Sequence, residues 1–311
     1  MATTQIAPAA SQRLLPPETG RAGFGDALRS EFTKIKSTRS TYWTLLALVV
    51  VCAGIGALAS VGAASHANQI SKATFDATQQ SLAGLYVGQL VIAVLGALTI
   101  TSEYSTGMIR TTLSVQPRRG VVFAAKALVF ATVSLIVGLV ASFGSFFLGQ
   151  ALMSSHHLSV TLGDPNVLRA VIGGALFLTA CGMLAYGLGA ILRHTAGAIT
   201  AAIGLLFVVT VLVNFLPHTW QVHVDKWMPA LAGSQIWTTK ASGGPDLFSA
   251  WPGFAVLAGY AAVAIIAGLV CFRTRDAGRR RHVVATTEAV SPVPVARRAP
   301  RSLRAHPPAG R

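Results

Sequence analysis

Apolar runs long enough to cross a lipid bilayer recur along this chain, and none of them carries an Asp or Glu in its interior. About 20 residues of helix cross the hydrocarbon core. Within that core the backbone must satisfy its own hydrogen bonds, so only helices or a closed barrel can span it. Runs of this length favour the helix, and an all-α membrane protein follows. Spans are expected at about 42–64, 82–100, 121–153, 167–192, 196–216 and 252–272. Composition agrees, since only 11% of residues are charged and mean hydropathy is +0.58, against about 25% charged in a soluble domain.

The charge that remains is sorted by side. Six spans put both termini on one face. Counting that face as inside gives 21 of the 25 Lys and Arg residues, leaving Lys72, Arg169, Lys226 and Lys240 outside. Under the positive-inside rule both termini are cytoplasmic, and the net charge of +15 is a topology signal. A basic cluster directly after a span is an anchor for anionic lipid, and no nucleic-acid partner is expected. The localisation expected is the cell membrane.

Residues 1–23 read as a disordered cytoplasmic tail, 24–278 as the six-span domain and 279–311 as a basic disordered tail. Between the first tail and the first span, Phe24, Leu28, Phe32 and Ile35 recur at helical spacing in a helix that also holds Glu31, while Asp26, Arg29, Ser30, Thr33, Lys34 and Lys36 fall largely elsewhere on the wheel. One apolar stripe on a charged helix is the pattern of a helix lying in the membrane interface. Tyr42 and Trp43 stand where an aromatic anchor belongs.

The third run exceeds one crossing, so it tilts or begins in the interface, and Lys126 near its start is placed to snorkel. Further along it, Gly138, Ser142, Ser145 and Gly149 form a small-residue stripe of the kind that admits a neighbouring helix. The link from His218 to Trp251 holds four of the five tryptophans. Its apolar piece, 228–237, is too short to span and reads as a re-entrant or surface helical element with tryptophans at headgroup depth.

Several chemistries are absent from the sequence. No span holds an interior carboxylate of the sort an ion-coupled carrier needs. There is no phosphate-cradling Gly-rich loop ending in Lys-Ser/Thr, no His-Glu-x-x-His and no Gly-x-Ser-x-Gly. Cys52, Cys181 and Cys271 lie singly inside spans. His156-His157 are adjacent on a loop, without the i, i+4 geometry of a zinc site. No metal site and no cofactor are expected in this chain, and it is not an enzyme. Such a protein is passive or is driven from outside.

The polar break after the second span is the natural contact point. It reads Glu103-Tyr104-Ser105-Thr106-Gly107-Met108-Ile109-Arg110-Thr111-Thr112-Leu113, followed by Pro117-Arg118-Arg119 and Ala124-Ala125-Lys126. Together with Ser30-Glu31-Phe32-Thr33-Lys34-Ile35-Lys36 ahead of Tyr42-Trp43, and Arg275-Asp276-Ala277 after the last span, it resembles the permease subunits of ATP-binding-cassette (ABC) type-2 exporters, in particular actinobacterial members. The resemblance covers roughly residues 24–278.

The resemblance implies a permease driven by a separate cytoplasmic ABC ATPase, which binds ATP-Mg, and a homodimer or a second permease partner. It implies a coupling helix between spans two and three. Its contacts would be Glu103, Tyr104, Thr106, Gly107, Arg110, Thr111, Arg118 and Arg119, with the helix 24–36 as the second wall of the dock. In this reading Glu103 sits at a helix start, where a carboxylate meets the positive dipole end, Thr101 or Ser102 caps, and Gly107 admits another backbone. The path would run between two halves, lined by the second and fifth spans. The alternative is a non-transporting membrane scaffold or sensor that recruits a cytoplasmic partner through the same basic face.

Overall fold

The computed structural model describes residues 23–67, 71, 74–109, 118–215, 217–240 and 247–274. Both expected tails, apart from Gly23, lie outside these residues, as do Arg110 and Thr111 of the expected coupling helix. Regular structure among the described residues is helical throughout. In chain order α1 spans Phe24–Ser37, α2 Arg39–Ser65, α3 Ala77–Ser81, α4 Leu85–Ser105, α5 Arg119–Met153 and α6 Val167–Leu192. Then follow α7 Thr195–Ile203, a π-helical turn Gly204–Val208, α8 Val209–Val213, α9 His218–Asp225, α10 Pro229–Ser234 and α11 Ala250–Thr274. Six helices are long and apolar enough to cross a membrane: α2, α4, α5, α6, the composite α7–π–α8, and α11.

Helix α6 is the centre, packed on α4, α5 and α11, while α2 packs along α5. Backbones meet at glycines. A Cβ on Gly96 of α4 would collide with the carbonyl of Gly182 on α6, and one on Gly84 would collide with the backbone of Cys52 on α2. Between membrane helices, where lipid is as apolar as protein, this close van der Waals packing replaces the hydrophobic effect as the driving force.

The expected spans and the helices agree closely except at two ends. The second span was expected to end at Ile100, yet α4 continues to Ser105, so Thr101, Glu103 and Tyr104 belong to the helix. The fifth span was expected to run regularly to Leu216. It holds a π-helical turn, and its described helix stops at Val213.

The outer link folds inward. Asp76 caps α3 by accepting from Gln79 N, and it also accepts from Thr239 N (2.6 Å), Thr239 Oγ1 (2.7 Å) and Lys240 N (2.9 Å). Arg169 donates to the carbonyls of Ile236 (2.9 Å) and Thr238 (2.8 Å). These bonds seat Trp237 in the core, fully buried, with its ring edge-on to Tyr86 at 4.8 Å and to Phe177 at 6.2 Å. Trp237 thus packs on protein, while Trp220, Trp227 and Trp251 are exposed.

The glycine contacts give a direct test. Gly96→Ala forces apart two backbones, and overpacking of this kind costs about 1–3 kcal/mol. Gly62→Ala, on a helix position with open space around it, is expected to be neutral or slightly stabilising. Thermal unfolding of the two variants in detergent, against the parent, separates them.

Candidate functional site: a buried ion cluster

Local sequence places four charges together at one end of the bundle. On α1 the spacing of Ala27, Glu31 and Lys34 puts them on one face. Ala27 and Glu31 are buried there, and α1 packs on the first turns of α5. The adjoining apolar stripe is only partly covered by the chain, with Phe24 at 45% and Phe32 at 47% exposure and Leu28 and Ile35 half-buried. Lys36 lies over the Phe32 ring at 5.0 Å. Asp26 accepts from Gly23 N and closes the first turn.

From α4 comes Glu103 and from α5 comes Lys126. Lys126 Nζ donates to Glu31 Oε2 (2.5 Å) and to Glu103 Oε1 (2.8 Å). Lys34 Nζ donates to Glu31 Oε1 (2.7 Å) and to Glu103 Oε1 (3.0 Å). Each lysine thus bridges both carboxylates, and the cluster is neutral. Glu31, Glu103 and Lys126 are buried, whereas the Lys34 side chain is about one-third exposed. Glu103 Oε2 has no hydrogen-bond partner among the described residues. Burial lowers the Lys34 pKa, but its hydrogen bond to Glu31 and the charge of Glu103 outweigh that and hold it above the usual lysine range.

A second layer ties the same ends together. The Arg193 guanidinium sits over the Tyr104 ring at 5.1 Å and donates to Cys271 O (2.7 Å). Tyr104 also meets Phe272 edge-on. Tyr186 donates its hydroxyl to Phe123 O (3.0 Å). Arg193 itself makes the α6–α7 turn in the left-handed region, at φ 54°.

The placement of Glu103 differs from the sequence expectation. It stands in the last turn of α4, at the negative end of the helix dipole. The neighbouring hydroxyls satisfy carbonyls and do not cap amides: Thr101 donates to Ala97 O, and Ser105 and Thr106 to Ser102 O. Gly107 has φ +72° with no described atom within 4 Å of a built Cβ. It stops α4 in a left-handed turn and, among the described residues, has open space beside it. Arg118 is the N-cap residue of α5, and Arg119 begins that helix.

On α5 the small residues face protein. Ser142 donates to Val171 O (2.6 Å), Gly138 abuts Ala175, and Gly149 abuts Ser60 and Ser81. His156 and His157 are both exposed. Among the described residues no group of three His, Cys, Asp or Glu is arranged to hold a metal.

Sequence reasoning passed over Lys126 as a snorkelling side chain, and it passed over Asp76 and Arg169. For Lys126 a signal existed. It is the single cation inside its run, and Glu31 and Glu103 were two carboxylates in need of one.

Six helices long and apolar enough to cross a bilayer make this a multi-pass membrane protein. The chain matches the model of the family "ABC-2 family transporter protein" over residues 27–220, more than half its length, and it belongs to that family. It is therefore a membrane permease of an ABC transporter. The matched region takes in most of α1, the ion cluster and five of the six spans. No curated protein matches the chain.

Removing one member leaves an uncompensated buried charge. Lys126→Met is expected to cost about 3–5 kcal/mol, and Lys34→Met clearly less because that side chain reaches water. The Lys34 pKa is raised on folding, so its stabilisation is complete below the free lysine value of about 10.4 and fades only as pH rises through the higher folded value. The Lys34→Met deficit measured by thermal unfolding should then stay constant from pH 6 to pH 9.

Proposed function

We propose that this permease is driven by a separate cytoplasmic ATPase that binds ATP-Mg and docks against α1 and the segment 102–120, and that the complex exports its cargo. The observation that carries the reading is the cluster Glu31–Lys34–Glu103–Lys126, which joins a helix outside the spans to the ends of two spans. A displacement of α1 cannot leave α4 and α5 where they are without separating buried charges. The uncovered stripe of α1 suits a helix lying at the interface, as expected. Among the described residues most Lys and Arg lie at the α1 end of the bundle, which supports cytoplasmic termini.

In this reading Glu103 transmits and does not dock. Its carboxylate is buried and engaged, whereas Arg118 is exposed and available to an acidic surface. Six spans make half a pathway, so a second copy or a second permease completes it. The second and fifth spans suit that seam. Tyr86 and Val87 on α4, and Phe207, Val208, Val211 and Leu212 on the fifth span, are exposed, and the π-helical turn lies among them. Such turns occur frequently at functional positions.

The test uses the tagged full-length chain co-expressed with a candidate ATPase and followed by ATP hydrolysis in lipid. Glu103→Ala is expected to retain the ATPase but lose most of the lipid-dependent stimulation. Arg118→Ala/Arg119→Ala is expected to reduce recruitment itself. If wild type fails to bind any candidate, or if Glu103→Ala couples normally, the proposed drive through this joint is wrong.

A further inference from the structure

At the α1 end of the bundle, arginines from three elements gather round the end of α11. Arg119, which opens α5, donates to Arg273 O (3.5 Å). Arg193, in the α6–α7 turn, donates to Cys271 O (2.7 Å) and lies over the Tyr104 ring. The Arg273 guanidinium lies back against the first turn of α5, where a Cβ on Gly120 would stand 2.5 Å from one of its nitrogens.

Helix capping explains part of this arrangement. Cations are favoured at the negative end of a helix, but that end carries only about half an elementary charge, against three whole ones. Among the described residues the carboxylates of this end of the bundle are Asp26, Glu31 and Glu103. Glu31 and Glu103 are engaged by Lys34 and Lys126, and Asp26 closes the first turn of α1. The rest of the chain does not restore the balance. After α11 it holds nine arginines against two carboxylates, Asp276 and Glu288. The end of α11 therefore carries a positive surplus whatever pairs its arginines form within the chain, and it calls for an anion.

The surroundings favour one class of anion. Val263, Ile266 and Val270 on α11 are each more than half exposed. They recur at helical spacing, and Arg273 follows Val270 by three residues, so one face of α11 runs from apolar side chains to a cation. Leu192, beside Arg193, is exposed as well. An acidic protein surface matches the charges alone. A phospholipid matches both parts, with a chain against the stripe and its phosphate among guanidiniums, whose planar forks suit phosphate oxygens. Basic pockets between spans hold lipid headgroups in this way.

We infer that the rim formed by Arg119, Arg193 and Arg273 binds the headgroup of an anionic phospholipid, with an acyl chain lying along Val263, Ile266 and Val270. This is a defined site on the spans, distinct from a general attraction of the basic tail to the membrane. It requires only that this end of the spans meet a leaflet, so it stands whether or not an ATPase docks nearby.

The test uses the purified full-length protein without any ATPase, in nanodiscs of equal parts phosphatidylglycerol and phosphatidylcholine with matched chains. Retained lipid is identified by native mass spectrometry. Wild type should retain the anionic lipid at least about tenfold over the zwitterionic one, and Arg273→Gln, which alters an exposed side chain, should lower that ratio about fivefold. Arg193→Gln should do the same. Arg29→Gln/Lys36→Gln, which removes two exposed cations of α1, should change the ratio less than about twofold. Equal retention of the two lipids by wild type would overturn the assignment, whatever the fate of the variants. So would an unchanged ratio in Arg273→Gln, or a loss in the α1 variant as large as in Arg273→Gln. Displacement of the lipid by millimolar glycerophosphoglycerol would show that the chain takes no part, and displacement by a polyglutamate peptide would make the rim a protein-binding surface; either result sinks the proposal.

Discussion

Charge buried at a helix end is the constraint on which the rest of this molecule depends. Glu103 stands in the last turn of α4, where the helix dipole opposes a carboxylate by about 0.3–1 kcal/mol, and desolvation adds several kcal/mol per ion. Neither penalty is tolerable for an isolated group. Two lysines within 3.0 Å reverse the balance, and they come from two different helices. The same lysines neutralise Glu31. The four residues therefore form one unit, and removing any one leaves the others with a net buried charge. Such a unit fixes the position of α1 against the spans more narrowly than apolar packing would, because the alternatives to this register expose or strand an ion.

The two ends of the bundle are held by different chemistry. At the α1 end full charges pair with full charges. At the far end Asp76 is met by two backbone amides, a hydroxyl and its own helix cap, while Arg169 holds two backbone carbonyls. That arrangement clamps a segment of chain, which is why Trp237 can sit fully buried in a link that is otherwise irregular. Between the ends, the contacts of α6 with α4 and α11 rest on glycine backbones at van der Waals distance. The middle has no slack for a side chain, so relative movement of the helices is more readily absorbed at their ends than within their length.

Most of the frame was legible because the bilayer makes it so. Length and apolar content define the spans without tertiary knowledge. What the sequence obscured was the end of the second span. The residues from Thr101 to Thr106 read as a loop because they are polar, and polarity marks a boundary only if the group reaches water. Glu103 is satisfied by Lys34, which is 69 positions away, and by Lys126, 23 positions away. No local pattern reports such pairings. The hydroxyls were misread for a related reason: Ser and Thr serve amides at one helix end and carbonyls at the other, so their presence locates a terminus without saying which. The depth of Trp237 was not legible because Trp suits both an interface belt and a core when its neighbours are aromatic.

The redundancy of the cluster bears on how it could move. Each carboxylate is shared by both lysines, and the contacts are unequal, from 2.5 Å for Lys126–Glu31 to 3.0 Å for Lys34–Glu103. A shift of α1 along its axis stretches both contacts that cross from α1 to the spans, because Lys34 and Glu31 travel with α1 while Glu103 stays with α4 and Lys126 with α5. The i, i+3 pairing of Lys34 with Glu31 is preserved, as is the pairing of Lys126 with Glu103 between the two spans. The partly exposed Lys34 loses less, since water replaces part of its contact, whereas Lys126 and Glu31 are both buried. The cost of moving α1 therefore falls mainly on the buried Lys126–Glu31 contact, which is the one that fixes its position against the spans.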